Sequence, residues 1–285
     1  MTSFTDLRRE YHATLLDEGL LSRNAEGVPS NADKSSKTSI RIANGILDRI
    51  GDSAATDKLP GQGSGAYFER ICSRFVASAF RSLHHIRPGT WAIGNEVQLG
   101  RLGIAALDQY EHLAALESLS KTDATLAAAL GSDYLIKPDV VIARGPEPDD
   151  VINANEPLVD DVTTTLSSLR QKNNERSILH ASISCKWTIR SDRVQNARSE
   201  GLNLVKNRKG RLPHIVVITG EPLPSRLAAI ALGTGEIDCV YHFALKELCE
   251  TVQDLELEEA QNMIHTMIEG KRLRDIADLP LDLVV

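Results

Sequence analysis

Several features are missing from this 285-residue sequence, and each absence narrows what it can do. Its four cysteines, Cys72, Cys185, Cys239 and Cys249, are far apart, with no C-x-x-C pair. That spacing suggests neither a zinc site nor a disulfide framework, so reduced and mostly buried thiols are expected. No apolar run approaches the roughly 18 residues of a membrane span. Met1 to Leu20 is charged and amphipathic rather than signal-like, so a soluble, cytoplasmic protein with no membrane partner is expected. A dinucleotide fingerprint, a P-loop and a nucleophile elbow are all lacking, which argues against an unrelated α/β metabolic enzyme. Gly61-Gln62-Gly63-Ser64-Gly65 has no Gly-Lys-Ser ending and follows no strand, so it reads as a turn. His84 and His85, adjacent on an expected helix, point in different directions and have no further ligand nearby in sequence. Nor is there an overall positive charge. A net charge of −7 argues against indiscriminate coating of nucleic acid, which relies on Lys and Arg at phosphates.

What is present begins with 42% apolar residues, ample for a buried core in one large domain or two small ones. The first 130 residues read as helical, with 3.6-residue periodicity over 40–50, 66–83 and 102–119. The polar stretch 24–39 and the loop 58–65 interrupt them. From Tyr134 the pattern changes to short β-branched runs at 139–143, 178–188, 215–219 and 237–243, which predict a central mixed sheet. Ser191 caps a predicted helix over 191–206, with apolar positions at 194, 197, 202 and 205. The tail 245–274 reads as helical and ends in Leu279-Pro280-Leu281, expected to pack on the body. Between Lys186 and Arg211, eight basic residues face two acidic ones, a local excess suited to a phosphate-facing surface.

Two short motifs carry chemistry. Hydrolysing a phosphodiester needs a cation on the phosphate, oxygen ligands to hold it, and a positive group at the nucleophile. Asp139, after Pro138, places a carboxylate at a strand start, and on the 178–188 strand Ser184 and Lys186 share one face. Cys185 points the other way but offers its main-chain carbonyl. Carboxylate, carbonyl and water oxygens suit Mg²⁺. Glu200, two to three turns into the next helix, can fold back as a second acid. Pro-Asp alone is common turn chemistry, whereas a lysine in an apolar strand is rarer because a buried ammonium is costly. Arg190-Ser191-Asp192-Arg193 then holds the side chains a G·C-only site demands: arginine donates to guanine O6 and N7, and aspartate accepts from cytosine N4. Alone, this tetrapeptide is as easily a capped helix start. Its position four residues past Lys186 favours a reader, because reading must be coupled to cutting over a short rigid path.

The pattern Pro138-Asp139 … Ser184-Cys185-Lys186 … Glu200 resembles the PD-(D/E)xK nucleases, in the variant whose middle acid is displaced to the following helix. More narrowly, the segments 183–193 and 196–203 resemble the NgoMIV-type restriction endonucleases, as do Val28 to Asp33, Leu59 to Gln62, Leu130 to Tyr134 and Asp275 to Val285. The likeness is loosest at the N-terminus and over 144–176. It implies an α/β fold, an αβα sandwich around a mixed sheet, as a single restriction endonuclease domain over 1–285. It also implies Mg²⁺-dependent cutting of double-stranded DNA within GCCGGC to leave CCGG 5′ overhangs, by a homotetramer built as a dimer of dimers. Asp139, Ser184, Lys186 and Glu200 would be catalytic, with Asp139 and the Cys185 carbonyl on the metal and Glu69 matching a further family acid. Arg190, Asp192 and Arg193 would read the inner CCGG, and Asp33 and Arg226 the outer G·C pair. Gln62 is a candidate minor-groove contact and Ser35 a further DNA contact. A DNA-binding protein that reads without cutting is the alternative, and the intact Asp139, Ser184, Lys186 and Glu200 speak against it.

Overall fold

Ser3 opens the first helix, α1 (Phe4–Asp17), with a reciprocal capping box: its hydroxyl accepts the Asp6 N–H at 3.1 Å, and the Asp6 carboxylate accepts the Ser3 N–H at 3.2 Å. α2 (Lys37–Ile50) starts from Ser36, whose hydroxyl accepts the Ser39 N–H. The computed structural model describes residues 3–51, 61–123, 125, 128, 135–233 and 235–285, with 61, 62 and 191–193 described by backbone alone. The chain falls into two compact units, one of Met1–Leu83, Ile183–Ser199 and Ile215–Val285, the other of His84–Ser182 and Glu200–His214. The expected loop at 58–60 and the motif 130–134 lie outside the described residues.

A six-stranded mixed sheet carries the order β1-β2-β3-β4-β5-β6. These strands are Trp91–Ile93, Val140–Arg144, Ile178–Lys186, His214–Thr219, Cys239–His242 and Leu273–Asp275. β1 runs antiparallel to β2, whereas β4, β5 and β6 are mutually parallel. β2 to β5 are buried along nearly their whole length, which is why they read as continuous apolar runs rather than alternating ones. Among the described residues, no helix is long and apolar enough to cross a membrane.

In the first unit α1 and α10 (Leu279–Asp282) pack on α3 (Gly61–Ser82), α2 on α8 (Leu245–Asp254), and α7 (Pro224–Ala231) on α9 (Glu258–Glu269). Arg8 of α1 makes two forked ion pairs, reaching Asp275 of β6 at 2.8 Å and Glu247 of α8 at 2.6 Å, and all three side chains are less than 20% exposed. Burial opposes ionisation of Glu247, but the hydrogen bonds and charge of Arg8 outweigh it and hold its carboxyl at about 2.

In the second unit the Gln109 side chain mimics a strand, donating to the Leu179 carbonyl at 2.7 Å and accepting its N–H at 2.8 Å. Arg170, 3% exposed at its side chain, is forked onto Asp149 at the start of α5 (Asp149–Ile152).

Several expectations need correction. The helix expected over 102–119 is α4 (Glu111–Ser120) alone, preceded by two 3-10 turns. The break lies at Gly103, which sits at φ +54°, where a Cβ would come 2.3 Å from the Ile136 carbonyl oxygen. The glycines 61–65 form the start of α3 rather than a turn. The stretches read as helical hide β1 and β6, each three residues long and too short for periodicity to register. His84 and His85 lie exposed in the turn after α3, not on a helix. In α6 (Ser191–Asn207), Ala197 and Leu204 are buried while Leu202 is exposed, so the inward face is turned from the expected one.

Arg8→Ala is expected to cost about 3–5 kcal/mol of unfolding free energy at neutral pH, because it strands two mostly buried carboxylates. Urea unfolding measures this, and a loss below about 1 kcal/mol, the range of a surface pair, would show that the fork is not structural.

Candidate functional site

β3 delivers Ser184, Cys185 and Lys186 at its C-terminal end. Ser184 and Cys185 are buried and Lys186 is half-buried. Directly after them Trp187 turns inward, 3% exposed, with Phe68 and Phe243 at ring-centroid distances of 5.0 and 5.5 Å. This aromatic stack anchors the chain one residue beyond Lys186. Gly220 crosses the same spot: a Cβ there would lie 2.5 Å from the Trp187 ring and 2.9 Å from its carbonyl oxygen. Asp139 stands half-buried immediately before β2, and Glu200 half-buried in α6; both belong to the second unit. Glu69 lies half-buried on α3 in the first unit, with Ser184 to Lys186. Each of these six residues engages neighbouring groups.

Among the described residues, no group of three or more His, Cys, Asp or Glu gathers as a metal cage. A hard cation held by a carboxylate, a main-chain carbonyl and waters needs no such cage.

The expected readers are placed as follows. Arg190 is exposed just before α6, its carbonyl accepting the Val194 N–H. Asp192 and Arg193 lie in the first turn of α6, with side chains outside the described residues, as is the Ser191 cap. The Gln62 side chain is likewise outside them, its backbone lying in the first turn of α3. Asp33 and Arg226, 193 residues apart, meet in an ion pair. The Ser35 hydroxyl and N–H both donate to Asp33, at 2.7 and 3.0 Å, and with Arg226 they hold its carboxyl down at about 2. Ser35 thus sits as a partner of Asp33. In the basic stripe, Arg198 donates to the Ala229 carbonyl at 2.8 Å and Arg208 to that of Val205, so these two charges serve the fold.

Glu221, absent from the sequence candidates, lies at the centre of this group. Fully buried, it accepts the Ile189 N–H at 2.8 Å and the Leu223 N–H at 3.1 Å, and it stands 3.7 Å from the Arg226 guanidinium. His242 supports the turn from beneath, with Nε2 3.1 Å from the Glu221 carbonyl oxygen and Nδ1 accepting the Ala244 N–H. Since a carbonyl only accepts, Nε2 carries the proton, and burial keeps the ring neutral with a pKa lowered to about 4. The only sequence hint was an acid two residues beyond the end of β4.

Comparison with known proteins finds relatives along almost the whole chain. The family model described as NgoMIV restriction enzyme matches residues 11–285. Over 282 residues the chain is 57% identical to the type II restriction enzyme NgoMIV of Neisseria gonorrhoeae, covering 99% of each. A solved structure of the type IIF restriction endonuclease Bse634I with cognate DNA is 14% identical, with 90% of this chain and 92% of that one covered and a TM-score of 0.34.

Gly220→Ala is expected to lower stability by about 1–3 kcal/mol through overpacking against Trp187, read as a fall in melting temperature. An unchanged melt would mean that the turn is free to shift. The buried His242 gives a pH signature. Its folded pKa lies below the ordinary 6.5, so the unfolded chain binds more protons between pH 6.5 and about 4. Stability is full above that window and falls through it, and urea midpoints should fall less steeply there in His242→Asn. An equal slope in both proteins would assign the acid sensitivity elsewhere.

Proposed function

The chain belongs to the NgoMIV restriction enzyme family and is a type II restriction endonuclease, and we propose that it cuts double-stranded DNA at GCCGGC. Cleavage after the first G leaves CCGG 5′ overhangs, and the working form is a cytoplasmic homotetramer, a dimer of dimers in which both units of each chain act as one endonuclease domain. The observation that carries this reading is the short path from Lys186 to Arg190, which Trp187 anchors at one end and Glu221 at the other. A reader so tied to the end of the cutting strand can report base identity to the reacting groups.

Asp139 and the Cys185 carbonyl are the residues suited to hold Mg²⁺, with Glu200 as the second acid and Glu69 as a further one. When bound, the ion supplies positive charge to the scissile phosphate. Lys186 brings its ammonium to the attacking water and the phosphate, and Ser184 occupies the position of the displaced acid. Arg190 and Arg193 donate to guanine O6 and N7 while Asp192 accepts from cytosine N4 in the inner CCGG. Arg226 and Asp33 divide the outer G·C pair in the same way, as a donor and an acceptor already side by side. Ser35 acts through Asp33, and Gln62 faces the minor groove.

Incubated with Mg²⁺, the purified protein should linearise plasmids at GCCGGC, and sequencing the ends fixes the scissile bond. Cuts at unrelated sites, or none, would overturn the assignment. Lys186→Ala should abolish cutting yet keep specific binding in Ca²⁺; a variant that loses both would show Lys186 to be a binding residue.

A further inference from the structure

A carboxylate with no solvent exposure is costly unless every lone pair is used, and Glu221 uses both its oxygens on the main chain. Oε2 accepts from Ile189, the residue before Arg190, and Oε1 accepts from Leu223, three residues before Arg226. Oε2 also faces the Arg226 guanidinium at 3.7 Å, and the other side of that guanidinium is taken by Asp33. The backbone of Glu221 is equally tied. Its N–H donates at 3.1 Å to the Thr219 hydroxyl, which in turn donates at 2.7 Å to the carbonyl of Lys186. Asn31, two residues before Asp33, donates its amide to the Gly220 carbonyl at 2.8 Å. One turn thereby touches the end of the cutting strand, the chain entering Arg190, the helix bearing Arg226 and the segment bearing Asp33.

We propose that Glu221 is a positioning residue for sequence reading, a buried clamp that sets the inner-site reader Arg190 and the outer-site reader Arg226 in one frame with Lys186. The proposal rests on the reading of Arg190 and Arg226 as base contacts. Glutamate suits the task where glutamine does not. Two N–H groups and a guanidinium converge on it, and only a carboxylate presents acceptors alone to all three, whereas an amide must turn a donor toward one of them. Burial pushes its carboxyl above the ordinary range while the N–H groups of Ile189 and Leu223, and then Arg226, pull the other way. Because the clamp joins both segments, its loss loosens both reading positions together.

The test compares wild type, Glu221→Gln, Arg190→Ala, Arg226→Ala and the combined Arg190→Ala/Arg226→Ala protein on GCCGGC. The same proteins are assayed on duplexes substituted at the outer or the inner G·C pair. Cleavage rates are measured in Mg²⁺, binding to random duplex in Ca²⁺, and melting temperature alongside. Glu221→Gln should reduce discrimination at both positions, each by roughly five- to hundredfold, the worth of a misplaced bidentate contact. Random-DNA binding should stay as in wild type, and adding Glu221→Gln to the double variant should cost no further discrimination. Retained discrimination in Glu221→Gln, or an equal loss on cognate and random DNA, overturns the clamp while leaving the readers in place. Should Arg190→Ala and Arg226→Ala themselves leave discrimination intact, the base-reading assignment fails, and the clamp with it. If Glu221→Gln does not fold, hydrogen exchange on the wild type decides. The Ile189 and Leu223 amides should open with the same free energy, and protection differing by more than about tenfold means two independent contacts.

Discussion

The spacing between Gly220 and Trp187 is the constraint on which the site depends. The indole lies with Phe68 and Phe243, and the chain leaving β4 passes so close over it that no side chain fits at Gly220. Interiors packed to crystalline density leave such a crossing little freedom. Lys186 precedes the indole and Glu221 follows the glycine, so a tryptophan with no catalytic part fixes the main chain beside both. Apolar packing here sets the position of the polar groups.

Buried ionic groups recur in the molecule, each with a distinct duty. Arg8 ties α1 to α8 and β6 through Glu247 and Asp275, and Arg170 is forked onto Asp149 at the start of α5. Glu221 differs because its closest partners are main-chain N–H groups. A group that holds backbone fixes segments rather than single side chains, and the neutral His242 below completes the support without adding charge.

Much of this was legible in the chain. β2 to β5 announced themselves as apolar β-branched runs because both of their faces are covered, and α2 and α3 showed their periodicity. β1 and β6 did not, since three residues are too few to display a period. The helix expected over 102–119 failed because Gly103 obeys the Ile136 carbonyl, a neighbour more than thirty residues away. Asp139 and Ser184-Cys185-Lys186 were nameable because strand ends and an unusual lysine leave a local mark. Glu221 left none: its meaning lies in Ile189, Leu223 and Arg226, and an acid after a glycine looks like any turn. The ion pair between Asp33 and Arg226 was invisible for the same reason, although the resemblance had assigned both to the outer G·C pair.

That pairing bears on how such a protein would search a genome. An arginine already neutralised by Asp33 adds little to the general pull of phosphates, since it releases few counterions on contact with arbitrary sequence. Together with a net charge of −7, such a pair would keep the stay on random DNA brief and weakly salt-dependent at that position. On the proposed reading, a donor and an acceptor held side by side would also lose little rotational freedom when a G·C pair arrives. If the two residues read DNA as proposed, their pairing would shorten time spent on wrong sequence rather than strengthen the grip on DNA in general.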